Sequence, residues 1–256
     1  MVDSELQVEI PHAARIWNYW MGGTDNFPAD RAAGDAVAQV YPEIVLMARQ
    51  SRRFLIRVVR HLAGEAGVRQ FLDIGTGLPT MQNTHEVAHG VAPESRIVYV
   101  DNDPLVLAHA RSLPAGGDTT YVHADYHQPE KILAEAARTL DFSKPVAIMF
   151  MGVLGYEPDL TVLRDIVRTT MSGTVPGSHL VLWDGTDTTP AVVEGSAKLA
   201  ESGGVPYILR SPEDLATCFD GLTLLEPGLV QLPLWHPDPT DDPEWLDAYG
   251  AVAAKP

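Results

Sequence analysis

The chain has 256 residues, 45% of them apolar, a formal net charge of −16 and a single cysteine, Cys218. That length and apolar content suffice for one cored domain with an appendage, and the lone cysteine excludes an intrachain disulfide and suits a reducing cytoplasm. The negative charge repels polyanions and anionic lipid, which argues against nucleic acid or a membrane as partner; no run nears the ~20 apolar residues of a bilayer span, and Met1-Val2-Asp3-Ser4-Glu5 lacks signal-peptide features.

In chain order, the periodicity is helical up to about residue 66, so an N-terminal helical cap over 1–66 is expected ahead of an α/β domain over 67–256. Within the cap, Trp17, Tyr19 and Trp20 precede Gly22-Gly23. They suit either helix packing or a lid that keeps water from a ligand. Further on, Phe54, Leu55, Val58, Val59 and Leu62 form the apolar side of a helix whose other side carries Arg53, Arg57 and Arg60, read as a solvated stripe. Short β-branched and apolar runs then predict strands at 70–74, 96–101, 119–124, 145–151 and 178–184. Helices begin between them near Met81, Pro104, Pro129, Asp159 and Thr189. Asp103-Pro104 and Ser211-Pro212 each set a capping side chain before a proline suited to the first helical position. Segments 222–225 and 230–234 flank Glu226-Pro227-Gly228 and read as an antiparallel hairpin that finishes the sheet. The expected fold is therefore α/β: a Rossmann-like seven-stranded sheet, mostly parallel, with a C-terminal antiparallel hairpin and the helical cap.

Ligands of such sheets gather at the carboxyl ends of the strands, so the residues there carry the functional reading. The first strand ends in Asp73, followed by Gly75-Thr76-Gly77. A Gly-x-Gly turn lets backbone approach a nucleotide, but the Asp73 carboxylate repels the pyrophosphate of NAD and attracts the ammonium and sulfonium of S-adenosylmethionine. The second strand ends in Asp101-Asn102, about the right distance on for an acid that accepts the hydroxyls of a ribose. The third leads into Asp125-Tyr126, where the acid accepts from an adenine amino group and the next backbone N–H donates to the ring. S-adenosylmethionine is thus the expected cofactor. Asp73, Gly75, Thr76, Gly77, Asp101, Asn102, Asp125 and Tyr126 are its candidate ligands, joined by Met151 at the end of the fourth strand.

The stretch from Ala14 to Arg31, with its Gly22-Gly23-Thr24-Asp25-Asn26-Phe27 core, the run from Phe71 to Thr80, His85-Glu86-Val87-Ala88 and Val98 to Pro104 together resemble the actinobacterial S-adenosyl methyltransferase family once catalogued as a domain of unknown function. The resemblance spans nearly the whole chain. It implies a Rossmann-like methyltransferase fold, S-adenosylmethionine as ligand and a helical cap, and it adds Arg15 and Tyr19 to the cofactor-binding set. The chain departs from the family's usual pattern at Thr24, at Ser51, at Gly155-Tyr156 where relatives carry His-Phe, and at Trp183-Asp184 where they carry Ser-His. The changes cluster on the acceptor side, which implies a retained cofactor with an altered substrate or chemistry.

His85, His123, His127, His179 and His236 are each possible general bases, with His179 read as a satisfied core residue inside a strand. No metal signature and no Gly-x-Ser-x-Gly elbow is present. Asp184 and Tyr156, at strand ends flanking the expected methyl position, are the catalytic candidates. The expected function is a cytoplasmic methyltransferase acting on a small-molecule acceptor of secondary metabolism. A S-adenosylmethionine-binding sensor or scaffold is the alternative, and an NAD-dependent oxidoreductase the next.

Overall fold

The computed structural model describes residues 7–79, 82–106, 108, 118–238 and 244–256. Among the described residues three helices precede the sheet: α1 (Ala13–Trp20), α2 (Pro28–Val40) and α3 (Glu43–Gly64). The start of α2 is fixed by Pro28 in the first turn and by Asp30, whose carboxylate accepts the Phe27 backbone N–H at 2.8 Å. Then β1 (Gln70–Ile74), α4 (Thr84–Val91), β2 (Arg96–Asp101), β3 (Thr119–His123), α5 (Pro129–Ala136), β4 (Ala147–Met151), α6 (Leu160–Ser172) and β5 (His179–Gly185) alternate along the chain. They are followed by α7 (Pro190–Glu201), α8 (Pro212–Ala216), β6 (Thr223–Leu224), β7 (Val230–Gln231) and β8 (Ala248–Ala254). The Leu105 N–H donates to Asp103 and the Asp214 N–H to Ser211, as their spacing from the following prolines predicts. The helix expected from Pro104 begins there, and its continuation, like the Met81 start, lies outside the described residues.

The sheet order is β3-β2-β1-β4-β5-β8-β6, with β7 also on β8. β1 to β5 are parallel, and β8 joins β5 antiparallel. The expected hairpin does not form as such. β6 and β7 exist, but each is two residues long, and both pair with β8 instead of each other, with Thr223 opposite Ala254 and Val230 opposite Gly250. The sheet thus has seven lanes, the outermost shared by two fragments. β8 was not expected because Ala-Tyr-Gly-Ala-Val-Ala-Ala lacks the β-branched, alternating signature of a strand. Its small residues are needed there: a Cβ on Gly250 would sit within 3.0 Å of Trp183, Leu232 and Phe54.

Alternation along the strands divides two cores. Phe71, Ile97, Tyr99, Met149, Val181 and Trp183 face α1–α4, whereas Leu72, Val98, Ile148, Phe150 and Leu182 face α5 and α6. Phe54, Val58 and Leu62 bury α3 fully against the first of these. The arginine stripe on α3 is not uniformly solvated. Arg60 is exposed and lies 3.8 Å from Asp238, but Arg57 is buried and donates to the carbonyls of Trp235 and Leu232 at 2.8 and 2.7 Å. Its guanidinium thus supplies donors to carbonyls of the short turn after β7, where the Trp235 N–H also donates to Leu232 O at 3.4 Å. His179 is buried as expected, but its Nδ1 has no hydrogen-bond partner.

Candidate active site

β1 lies between β2 and β4, so the chain leaves it first to one side and later to the other. A crevice opens at the strand ends where this reversal occurs. There a cavity of about 470 Å³ is bounded by the β1–β5 ends below and by α1, α2, α3 and α7 above. Gly75 and Gly77 hold φ values of +73° and +65°, a left-handed conformation that favours glycine, and a Cβ on Gly77 would meet no atom within 4 Å, leaving backbone open to a ligand.

Asp73 is buried, and Thr84 Oγ1 donates to its Oδ2 at 2.7 Å, while Oδ1 has no hydrogen-bond partner. Burial pushes its carboxyl up to about 6, against the pull of the Thr84 hydrogen bond and the positive charge of Arg52. Asp101 Oδ2 accepts the Gly77 N–H at 2.8 Å and Oδ1 the Asp103 N–H at 2.9 Å, so this acid fixes the glycine turn from the neighbouring strand. Burial raises its carboxyl too, opposed by those two N–H groups. At the β3 end, Asp125 accepts from Asn102 Nδ2 at 3.3 Å and lies 2.6 Å from His127 Nδ1, whose Nε2 lies 2.6 Å from Glu157. Burial alone would lower the His127 imidazole, but hydrogen bonds to Glu157 and Asp125 raise it. Correspondingly, burial of Asp125 is outweighed by hydrogen bonds from His127, which hold its carboxyl below the usual range.

Much of the remaining lining is apolar and aromatic. Trp17 tilts against Trp183 with ring centroids 5.8 Å apart and packs edge-on against Trp20 at 5.6 Å. Tyr156 packs edge-on against Tyr207 at 4.9 Å, and both line the space. Gly155 permits this: a Cβ there would lie 2.2 Å from the Tyr207 ring. The linings supplied by α2, α3, β5 and α7 include no carboxylate and no imidazole.

The structure brings Asp73, Gly75, Thr76, Gly77, Asp101 and Asn102 to one wall, and Asp125, Tyr126, Met151 and Tyr156 to the adjoining one. Three candidates lie elsewhere. Arg15 is buried in an ion pair with Asp30 at 3.0 Å, Tyr19 donates to Asp35 at 2.6 Å, and neither lines the cavity. Asp184 is 1% exposed and also absent from the lining. Period-two alternation in β5 aims Trp183 at the cavity side and the next residue at the opposite core. Of the histidines, His85 Nδ1 lies 2.8 Å from the Tyr99 hydroxyl, and His123 is exposed. Arg52 and Tyr207 line the cavity without having been singled out in the sequence. Arg52 is one arginine among several on α3, and Tyr207 sits in a loop with no periodicity, so neither carries a local signal.

A family profile described as S-adenosyl methyltransferase matches residues 1–256. The chain is similar to a solved DUF574 family protein from Streptomyces avermitilis MA-4680, with 42% identity over 98% of this chain and 100% of that one and a TM-score of 0.94. It is similar also to a candidate methyltransferase from Thermobifida fusca YX, with 39% identity over 98% and 97% of the two chains and a TM-score of 0.92. An O-methyltransferase family 2 protein from Planctomyces limnophilus DSM 3776, solved with apigenin, shares the fold at 14% identity and a TM-score of 0.52, over 87% of this chain and 61% of that one. No curated protein matches the chain. Among the described residues no helix is long and apolar enough to cross a membrane. With the profile spanning all 256 residues and the strand-end acids gathered around one cavity, the chain belongs to the S-adenosyl methyltransferase family, whose cofactor is S-adenosylmethionine.

Proposed function

We propose that this chain is a cytoplasmic S-adenosylmethionine-dependent methyltransferase acting on a small, apolar, aromatic acceptor of secondary metabolism. The observation that carries the reading is one cavity lined both by acids at three neighbouring strand ends and by the rings of Trp17, Trp20, Trp183, Tyr156 and Tyr207. The residues fit the cofactor: an orphaned buried oxygen on Asp73 suits an ammonium, the open face of Gly77 suits a nucleoside, and Asp101 and Asp125 suit ribose hydroxyls and an adenine amino group. The bound cofactor supplies a methyl group activated by the positive charge of its sulfur.

The chain's own residues then have to place an acceptor and keep water out, which supplies much of the rate of a displacement. Trp17, Trp20, Trp183, Tyr156 and Tyr207 offer flat apolar surfaces for an aromatic acceptor. Tyr156 is not a base. Burial, with Asp184 and Tyr126 nearby, raises its phenol far above the ordinary value, so it stays protonated and has a proton to donate in a hydrogen bond to an acceptor. The imidazoles that line the cavity are engaged, His127 by Asp125 and Glu157 and His12 by Asp103, so the acceptor is one already nucleophilic near neutral pH, as an amine, acidic phenol or enol is. The helices α1–α3 serve as the cover, with His12 Nδ1 2.9 Å from Asp103 Oδ2 fastening the segment before α1 to the turn after β2. Calorimetric titration with S-adenosylhomocysteine and with NAD, followed by methyl transfer from labelled cofactor to a panel of aromatic amines and phenols, tests the reading. Tighter NAD binding would refute the cofactor assignment, and cofactor binding without transfer to any panel member would refute the proposed acceptor class.

A further inference from the structure

The turn after β4 and the end of β5 are covered by a ring that neither strand supplies. Tyr207, in the loop after α7, lies over Gly155 and Gly185: a Cβ on Gly155 would fall within its ring, and one on Gly185 would lie 3.3 Å from Cε1. Its hydroxyl accepts the Gly185 N–H at 3.3 Å and donates to the Gly152 carbonyl at 3.4 Å, so one phenol spans both strand ends. The loop that carries it is tied on two sides, by Ser196 Oγ donating to the Tyr207 carbonyl and by the Ile208 N–H donating to Gly155 O at 2.7 Å. Trp20 and Trp183 are buried members of the core under α1–α4, whereas Tyr207 is half-buried and rides on a loop.

The sheet order sets β1 between β2 and β4, so Asp73, Asp101 and Asp125 stand at or just past the ends of β1–β3 while Tyr207 covers β4 and β5. A cavity of about 470 Å³ has to hold cofactor and acceptor together, so a ring at its β4–β5 end takes space from the acceptor. We propose that Tyr207 is the specificity-determining residue for acceptor size: its phenol stops the pocket at the length of a single-ring acceptor, and its loss admits a second ring. The inference rests on the proposed acceptor class and deepens it. Packing decides the effect, because interiors are filled to the density of organic crystals and a ring of the ligand cannot share the space of a ring of the protein.

The test titrates the full chain, saturated with S-adenosylhomocysteine, with 4-ethylphenol and with 4-phenylphenol, which carries one more ring, and reads the ratio of the two affinities by calorimetry. Wild type should favour 4-ethylphenol by about tenfold or more. Tyr207→Ala should reverse the order by a similar factor, as the second ring of the ligand enters the space of the lost phenol. Tyr207→Leu should shift the ratio in the same direction and serves in place of Tyr207→Ala if that variant fails to fold. Tyr207→Phe, which keeps the ring and loses both hydroxyl contacts, should keep the wild-type ratio; a changed ratio there would assign the selectivity to the hydroxyl and overturn the size argument. An unchanged ratio in Tyr207→Ala or Tyr207→Leu, or equal weakening of both phenols, would make Tyr207 a structural residue and overturn the assignment. So would loaded protein that binds neither phenol, in wild type and variants alike. Failure of the wild type to bind S-adenosylhomocysteine would refute the cofactor reading, and the inference with it.

Discussion

Replacing Asp184 by Asn should stabilise the protein at neutral pH, and the effect should grow with pH. Asp184 is 1% exposed; its Oδ1 accepts the Gly185 N–H at 3.1 Å and its Oδ2 has no partner. Burial drives its carboxyl up to about 8, opposed by the charge of Arg210 and the N–H groups of Gly185 and Gly155. Arg210 forms no ion pair with it, since its guanidinium is directed at the carbonyls of Leu154 and Glu157. In the unfolded chain the same carboxyl titrates near 4. Between those values the native state keeps a proton that the unfolded state has lost, so stability is full below about pH 4, falls as pH rises and levels off above about 8. At about 1.4 kcal/mol per pH unit, the ceiling on this loss is about 5 kcal/mol, and relaxation around the charge reduces it to a few. Asn, with nearly the same shape and no charge, removes the slope. Urea denaturation of both proteins at pH 5, 6, 7 and 8 should show curves that diverge with rising pH, with Asp184→Asn ahead by about 2–4 kcal/mol at pH 7. A variant less stable than wild type at every pH would mean that Asp184 is ionised and usefully paired in the fold. Because this residue does not line the cavity, cofactor affinity should be unchanged.

Asp101→Ala removes the acceptor for Gly77 as well as the expected partner of the ribose, and should weaken S-adenosylhomocysteine about tenfold or more in calorimetry without unfolding the chain. Asp73 should impose a pH dependence on binding: with its free carboxyl near 6 and an ammonium in the complex holding it ionised, affinity should be level above about pH 7 and fall below 6 by up to tenfold per unit. Asp73→Asn should abolish that slope, and a slope that persists in the variant would assign the titration to another group. Hydrogen exchange across residues 17–27 should slow when S-adenosylhomocysteine binds if these residues cover the site, and should be unaltered if they are core packing alone. His12→Ala, which frees this segment from Asp103, should speed exchange there in the ligand-free protein.

Local pattern was enough for the parallel half of the sheet, the glycine turn and the acids Asp73, Asp101 and Asp125: apolar runs of strand length, and side chains whose position at a strand end follows from where the run stops. It also determined which family the chain resembles, through contiguous strings from Ala14 to Arg31 and Phe71 to Thr80. The tertiary structure decided what depends on a partner distant in the chain. β8 is a strand because a small-residue segment fits beside Trp183 and Phe54, not because its own residues favour extension. Arg15 resides in the motif most specific to the family, but its partner is Asp30, fifteen residues on, and not the cavity. Asp184 ends a strand as Asp73 and Asp101 do, but the lining of the cavity takes Trp183 from the same strand, and a change of one residue in register moves a side chain from a ligand site into a core. Arg52 and Tyr207 acquire their places only when α3 and the loop after α7 fold over the strand ends, for neighbours there such as Tyr156 beside Tyr207 and Asp73 on the lining shared with Arg52 come from other segments of the chain.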